Sequence, residues 1–173
     1  MDKRKNIVLI GMMGAGKSTV GHLLDQKLKD FYYLDIDKEV EKVAQKNISE
    51  IFAIDGETRF RQLEHETISK YANYHSQVIA TGGGIVENAE NLNALRKNSV
   101  IFYLSASAKS LYERVRTTTH RPLLQRENPQ KVIEDLLKKR EPLYKMADFE
   151  INTENKELLQ IVQEIMEKYE SVI

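Results

Sequence analysis

Five short runs of mostly branched apolar residues punctuate the chain: Ile7-Val8-Leu9-Ile10, Phe31-Tyr32-Tyr33-Leu34, Val78-Ile79-Ala80, Val100-Ile101-Phe102-Tyr103-Leu104 and the weaker Phe149-Glu150-Ile151. Continuous apolar runs of this length predict strands buried on both faces. Helical spacing fills the intervals. Val20, Leu23, Leu24 and Leu28 share one face, as do Phe60, Leu63, Thr67 and Ile68, and Val132, Ile133, Leu136 and Leu137. The third of these helices opens with Asn128 as cap and Pro129 at its first position. Leu158, Ile161, Val162, Ile165, Met166 and Tyr169 mark an amphipathic helix near the end. Strands alternating with helices predict an α/β architecture, a parallel sheet covered on both sides. Ligands of such sheets bind beyond the carboxyl ends of the strands, so the residues just after each strand carry the functional information.

Bulk composition narrows the partners. The chain has 173 residues, which favours one domain over residues 1–173; no repeat, low-complexity tract or linker divides it. There is no cysteine, which removes a disulfide framework, a thiolate metal site and a catalytic thiol. Lys plus Arg and Asp plus Glu number 26 each, so no nucleic-acid partner is expected and any anion must be held locally. The apolar run behind the charged start spans only Ile7 to Ile10, too short for a signal core or a membrane span. A soluble cytoplasmic protein without a membrane partner is the expectation. No exposed apolar stripe is evident, which leads us to expect a monomer.

The first strand runs straight into Gly11-Met12-Met13-Gly14-Ala15-Gly16-Lys17-Ser18-Thr19 and a helix. This fits G-x-x-x-x-G-K-[ST] in its required strand–loop–helix setting. Glycines let the loop curl with amides inward, and the helix start adds positive potential. Gly14, Ala15, Gly16, Lys17, Ser18 and Thr19 are therefore the expected ATP contacts. Lys17 would reach the β- and γ-phosphates, and the Ser18 hydroxyl would ligate Mg²⁺.

The acceptor side is less explicit. Asp35-Ile36-Asp37 ends the second strand, and strand alternation would point both carboxylates the same way. One could stand near Mg²⁺ and the other meet an acceptor hydroxyl; equally, Asp37 could merely cap the helix from Lys38 to Ala44. Arg61 lies four residues after Glu57 and three before Glu64, a spacing that reads as a surface ion pair worth a few tenths of a kcal/mol. Thr81-Gly82-Gly83-Gly84 follows the third strand, where glycines permit close approach of a ligand to the backbone. No Asp ends the third or fourth strand, so Asp35 is the natural substitute for the usual metal-side carboxylate.

Taken in order, these motifs resemble the shikimate kinases: the phosphate loop, Asp35 and Asp37, the block Gly56, Glu57, Phe60, Arg61 and Glu64, the turn Gly82–Gly84, then Arg121-Pro122-Leu123-Leu124 and Arg140-Glu141-Pro142-Leu143-Tyr144. The resemblance runs from about residue 7 to 153. It implies a three-layer P-loop kinase fold with a five-stranded parallel sheet flanked by helices and a mobile lid at about 113–127. It also implies transfer of the γ-phosphate of ATP to the 3-hydroxyl of shikimate. On the same grounds Asp37 would bond the acceptor hydroxyls, Asp35 would stand near Mg²⁺ through water, and Arg61 and Arg140 would hold the substrate carboxylate. Gly82, Gly83 and Gly84 would touch the ring hydroxyls, Arg121 would reach the phosphates and substrate, and Arg114 would pack against adenine. Lys17, Asp37 and Arg121 would form the catalytic set. Forked guanidinium groups suit a planar carboxylate better than lysine does.

The lid segment is locally basic and rich in threonine, which suits closure over a phosphate and exclusion of water. Arg116 and His120 read as ordinary surface residues. Two departures from the family stand out: Gln45 occupies a helix end where glycine is frequent, and Asn152-Thr153-Glu154-Asn155, expected near adenine, fits only loosely.

Overall fold

The computed structural model describes residues 4–116 and 128–173. Five strands, β1 (Asn6–Ile10), β2 (Tyr32–Asp35), β3 (Gln77–Ala80), β4 (Ser99–Ser105) and β5 (Phe149–Asn152), form one sheet in the order β2-β3-β1-β4-β5. Every neighbouring pair is parallel, with Ile7 opposite both Val78 and Val100 and Leu34 opposite Ile79. The three central strands are buried along their whole length, as continuous apolar runs require.

Helices flank the sheet: α1 (Lys17–Lys27), α2 (Ile36–Ala44), the short α3 (Ile48–Glu50), α4 (Gly56–Tyr71), α5 (Ala89–Arg96), α6 (Ala108–Val115), α7 (Pro129–Tyr144) and α8 (Leu158–Glu170). A π-helical turn, Ile51–Asp55, leads into α4. The predicted faces are the buried ones: Val20 and Leu24 on α1, Phe60, Leu63, Thr67 and Ile68 on α4, and Ile161, Val162, Ile165 and Tyr169 on α8. Asn128 caps α7 by accepting from Lys131 N, with Pro129 behind it. None of the described helices is long and apolar enough to cross a membrane.

The start of α2 differs from expectation. Strand β2 stops at Asp35, and the helix begins at Ile36 instead of Lys38. The cap is Asp35, whose Oδ1 accepts from Asp37 N at 3.1 Å and Lys38 N at 3.4 Å. Asp37 thus sits in the first helical turn, and strand alternation does not govern its direction. Residues 113–116 close α6 and its cap, while Thr117–Glu127, with His120 and Arg121, lie outside the described residues.

Candidate active site

The phosphate loop owes its shape to glycine. Gly11, Gly14 and Gly16 adopt φ of 141°, 80° and 91°, values that other residues rarely tolerate. Space is equally short, since a Cβ on Gly14 would lie 2.7 Å from Val115 Cγ1 and 2.9 Å from Leu111 O. Lys17 Nζ donates to Gly11 O at 2.8 Å and Met12 O at 2.9 Å, which folds the lysine across its own loop. Around the loop opens a cavity of about 410 Å³ whose lining includes Gly14, Gly16, Lys17, Ser18, Thr19, Asp35, Asp37 and Arg114.

Ser18 and Asp35 face each other on its wall, the Ser18 hydroxyl donating to Asp35 Oδ2 at 3.5 Å. Tyr33 donates its phenol to the same oxygen at 3.2 Å. Burial, reinforced by the nearby carboxylates, raises the Tyr33 hydroxyl to about 12, so it stays a donor at neutral pH. The set is all oxygen and includes a single carboxylate with one oxygen spent on the helix cap. Among the described residues no group of three or more His, Asp or Glu could hold a metal ion by itself. This matches Mg²⁺ more than a protein-caged ion, because Mg²⁺ keeps its waters and is shared with substrate phosphates.

A second cavity of about 140 Å³ adjoins the first and is lined by Ile48, Phe60, Arg61, Glu64, Gly84 and Arg140 together with Met13, Asp37, Gly82 and Gly83. The last four line both cavities, so Asp37 stands where the two meet. The turn at Gly82–Gly84 explains why. None of its glycines has a positive φ. What they supply is room: a Cβ on Gly82 would lie 2.7 Å from Asp37 Oδ1, and one on Gly84 would lie 2.6 Å from Arg61 Nη1. Tyr144 fastens the turn by donating its hydroxyl to Gly83 O.

Arg61 forms both ion pairs that its spacing predicts, to Glu64 at 2.8 Å and Glu57 at 3.4 Å. The Glu64 pair is not a surface one, because that carboxylate is only 1% exposed. Burial pushes the Glu64 carboxyl above its ordinary range, and the Arg61 charge offsets this only in part. Arg140 is buried and pairs with Glu87 at 2.8 Å. Burial raises the Glu87 carboxyl, but bonds from Lys139 and Arg140 outweigh it and leave the group below its usual range. Two guanidinium groups therefore converge on one small cavity, each braced by a carboxylate.

Arg114 bridges the phosphate loop to the segment after β5, donating to Gly14 O at 3.3 Å, Thr153 Oγ1 at 2.9 Å and Thr153 O at 3.1 Å. It also lines a third, open cavity of about 440 Å³ with Lys109, Ser110, Glu113, Glu154 and Asn155. Arg116 pairs with Glu113 at 2.8 Å on the exposed surface, as expected of an ordinary charge. Sequence reasoning missed Tyr33, Glu87 and Tyr144 as parts of the site. Tyr144 carried a signal in its family motif, whereas Glu87 and Tyr33 reach the site only through the fold.

The family model for shikimate kinase matches residues 13–170. A shikimate kinase from Thermodesulfovibrio yellowstonii is 49% identical over 166 residues, spanning 96% of this chain and 95% of the relative. One from Caldanaerobacter subterraneus is 43% identical over 165 residues, 95% of this chain and 96% of the relative. The solved structure of shikimate kinase from Acinetobacter baumannii in complex with shikimate superposes with a TM-score of 0.92 at 36% identity, covering 97% of this chain and 94% of that one. A gluconokinase from Sinorhizobium meliloti, at 16% identity and a TM-score of 0.63, covers 99% of this chain and 95% of that one and shares the fold alone. With a matching model over most of its length and relatives far above the threshold of chance, the chain belongs to the shikimate kinase family.

Proposed function

We propose that this enzyme transfers the γ-phosphate of ATP to the 3-hydroxyl of shikimate, giving shikimate 3-phosphate and ADP on the route to chorismate and the aromatic amino acids. The observation that carries the reading is the junction of the two cavities at Met13, Asp37, Gly82 and Gly83, one walled by a phosphate loop and the other by paired guanidinium groups. A nucleotide tail and a cyclic carboxylic acid bound in them would meet at Asp37.

The loop amides of Gly14 to Thr19 would receive the phosphates, and Lys17 would exchange its bonds to Gly11 and Met12 for phosphate oxygens. Ser18 directly, and Asp35 through water, would hold Mg²⁺, which when bound neutralises charge on the phosphates. Arg61 and Arg140 would grip the acceptor carboxylate, fixing the ring so that its 3-hydroxyl faces the cavity junction. Asp37 accepts a hydrogen bond from that hydroxyl there. The hydroxyl oxygen forms the new bond to the γ-phosphorus as the bond to the ADP oxygen breaks, and the hydroxyl proton passes to Asp37. Loose phosphoryl transfer of this kind depends on alignment and charge stabilisation more than on covalent help. Arg114, and Arg121 from the segment outside the described residues, complete the cation set around the nucleotide. We assign the enzyme to the cytoplasm and to a monomeric state, with ATP and shikimate as its partners.

The test is an ADP-release assay with shikimate, quinate and gluconate in parallel. Shikimate should stand well above the others, and equal rates with all three would defeat the assignment.

A further inference from the structure

The site as described leaves one polar group without a task. Tyr33 lies at the edge of the sheet, yet its ring is held from several sides. It packs on His22 with ring centroids 3.9 Å apart, and it fits a notch in α1 made by Gly21, where a Cβ would lie 2.5 Å from Tyr33 Cε2. Its backbone N donates to Asp25 Oδ1 at 2.9 Å. A phenylalanine would satisfy all of these contacts. The hydroxyl does something separate, because it donates to Asp35 Oδ2, the oxygen that also receives the Ser18 hydroxyl.

We propose that the Tyr33 hydroxyl is a positioning group for the metal side of the site, locking Asp35 so that Oδ2 always faces Ser18. The proposal rests on the assignment of Ser18 and Asp35 to Mg²⁺ given above. The geometry makes the lock two-ended. Asp35 Oδ1 is pinned by the amides of Asp37 and Lys38, and Oδ2 is pinned by Tyr33, so the carboxylate plane cannot rotate without breaking bonds at both ends. A serine hydroxyl whose lone pair would face a cation points its O–H the other way, and Oδ2 is in place to accept that hydrogen bond. Held there, Oδ2 would be oriented to accept from a water carried by the ion. Partners that orient metal-side groups in this manner commonly govern affinity for the ion.

The experiment compares ADP binding by calorimetry in the presence of Mg²⁺ and in EDTA, for the wild type, Tyr33→Phe, Asp35→Ala, the double variant and Ser18→Ala. Metal and nucleotide are coupled sites, so the ratio of the two affinities measures the coupling without any turnover. Tyr33→Phe should weaken ADP binding about three- to tenfold with Mg²⁺, the scale of one ordinary net hydrogen bond because the hydroxyl acts at one remove from the ion, and leave it within about twofold in EDTA. Adding Tyr33→Phe to Asp35→Ala should cost clearly less than Tyr33→Phe costs alone, because most of the effect of the hydroxyl runs through that carboxylate. An unchanged ratio in Tyr33→Phe while Ser18→Ala loses it would overturn the role of Tyr33 alone. An unchanged ratio in Ser18→Ala as well would overturn the metal assignment and this proposal with it. A lower melting temperature with an unchanged ratio would reduce the hydroxyl to a packing group, and equal weakening in both conditions would do the same.

Discussion

Gly84→Ala isolates the acceptor site better than any change to the charged residues themselves. The backbone at Gly84 has φ −91° and ψ −4°, which alanine accepts, so the substitution adds one methyl group and no strain. That methyl would lie 2.6 Å from Arg61 Nη1 and 2.7 Å from Arg61 Cζ, too close to coexist. Carbonyls cannot give way, but an arginine end can, so Arg61 must withdraw from the position where it bonds Glu64 at 2.8 Å. If that position is also the one from which it grips shikimate, about one charge-assisted bond is lost, worth about 1.5–3 kcal/mol. The KM for shikimate should then rise about 10- to 150-fold, with the KM for ATP within about twofold of the wild type. Weakening of the Arg61–Glu64 pair should cost about 1–2 kcal/mol of stability, a fall of about 2–8 °C in Tm for a chain of this size.

The neighbouring glycines supply internal comparisons. A Cβ on Gly82 meets Asp37 Oδ1 at 2.7 Å, so Gly82→Ala should fall mainly on kcat; one on Gly83 meets its nearest neighbours at 3.5 Å and should disturb the fold least. Steady-state kinetics with calorimetric shikimate binding and a thermal melt decide the matter. A folded Gly84→Ala enzyme with unchanged shikimate KM, or with ATP and shikimate affected alike, would refute the idea that Arg61 as placed here is the carboxylate clamp.

Two further outcomes follow from the same geometry. Asp37→Asn keeps the shape and an accepting oxygen at the cavity junction but removes the charge, so kcat should fall about 100- to 10,000-fold while ATP binding by calorimetry stays nearly intact; a small change in kcat would count against Asp37 as the group facing the acceptor hydroxyl. Glu154 Oε1 accepts from Ser107 Oγ, Ser107 N and Ser110 Oγ, which together lower its carboxyl from 4.5 to about 2. A depressed folded-state value means stability present above the unfolded value and lost as pH falls, so the Tm advantage of the wild type over Glu154→Gln should be constant at neutral pH and shrink between pH 4.5 and about 2; a difference independent of pH would show that those bonds do not depend on the charge.

What the sequence disclosed divides by the distance over which each residue acts. The phosphate loop was fully legible, because its glycines, lysine and serine answer to a ligand of fixed shape within nine consecutive positions. Strand and helix faces were legible for the same local reason. Asp35 and Asp37 were singled out and both line the phosphate-loop cavity, but strand alternation was the wrong ground for them. The Asp35 side chain captures two amides and starts the helix early, so a capping preference overrode the strand period. Gln45 confirms how a local rule can be visible without being obeyed: it sits at φ 52°, a left-handed helix end where glycine is cheaper, and the chain carries the cost.

Arg61 is the instructive case. Its i,i+3 spacing to Glu64 correctly gave an ion pair, yet a helix surface pair and a braced binding group look identical in one dimension. Only burial separates them, and Glu64 is buried hard against the glycine turn, a Cβ on Gly82 lying 3.1 Å from Glu64 Oε1. A carboxylate held there costs stability, since burial raises its carboxyl in spite of the guanidinium beside it. A pair retained at such a cost is better explained by what it holds in place than by what it contributes to folding: Glu64 fixes the guanidinium beside Gly84, on the wall of the smaller cavity. Arg140 and Glu87 differ: they are brought together across 53 positions with no spacing signal at all, and bonds from Arg140 and Lys139 leave that carboxyl below its usual range in spite of burial. The glycine turn lies against both Asp37 and Arg61, since a Cβ on Gly82 would lie 2.7 Å from Asp37 Oδ1 and one on Gly84 2.6 Å from Arg61 Nη1, and its lack of side chains is the condition for that carboxylate and that guanidinium to line one small volume.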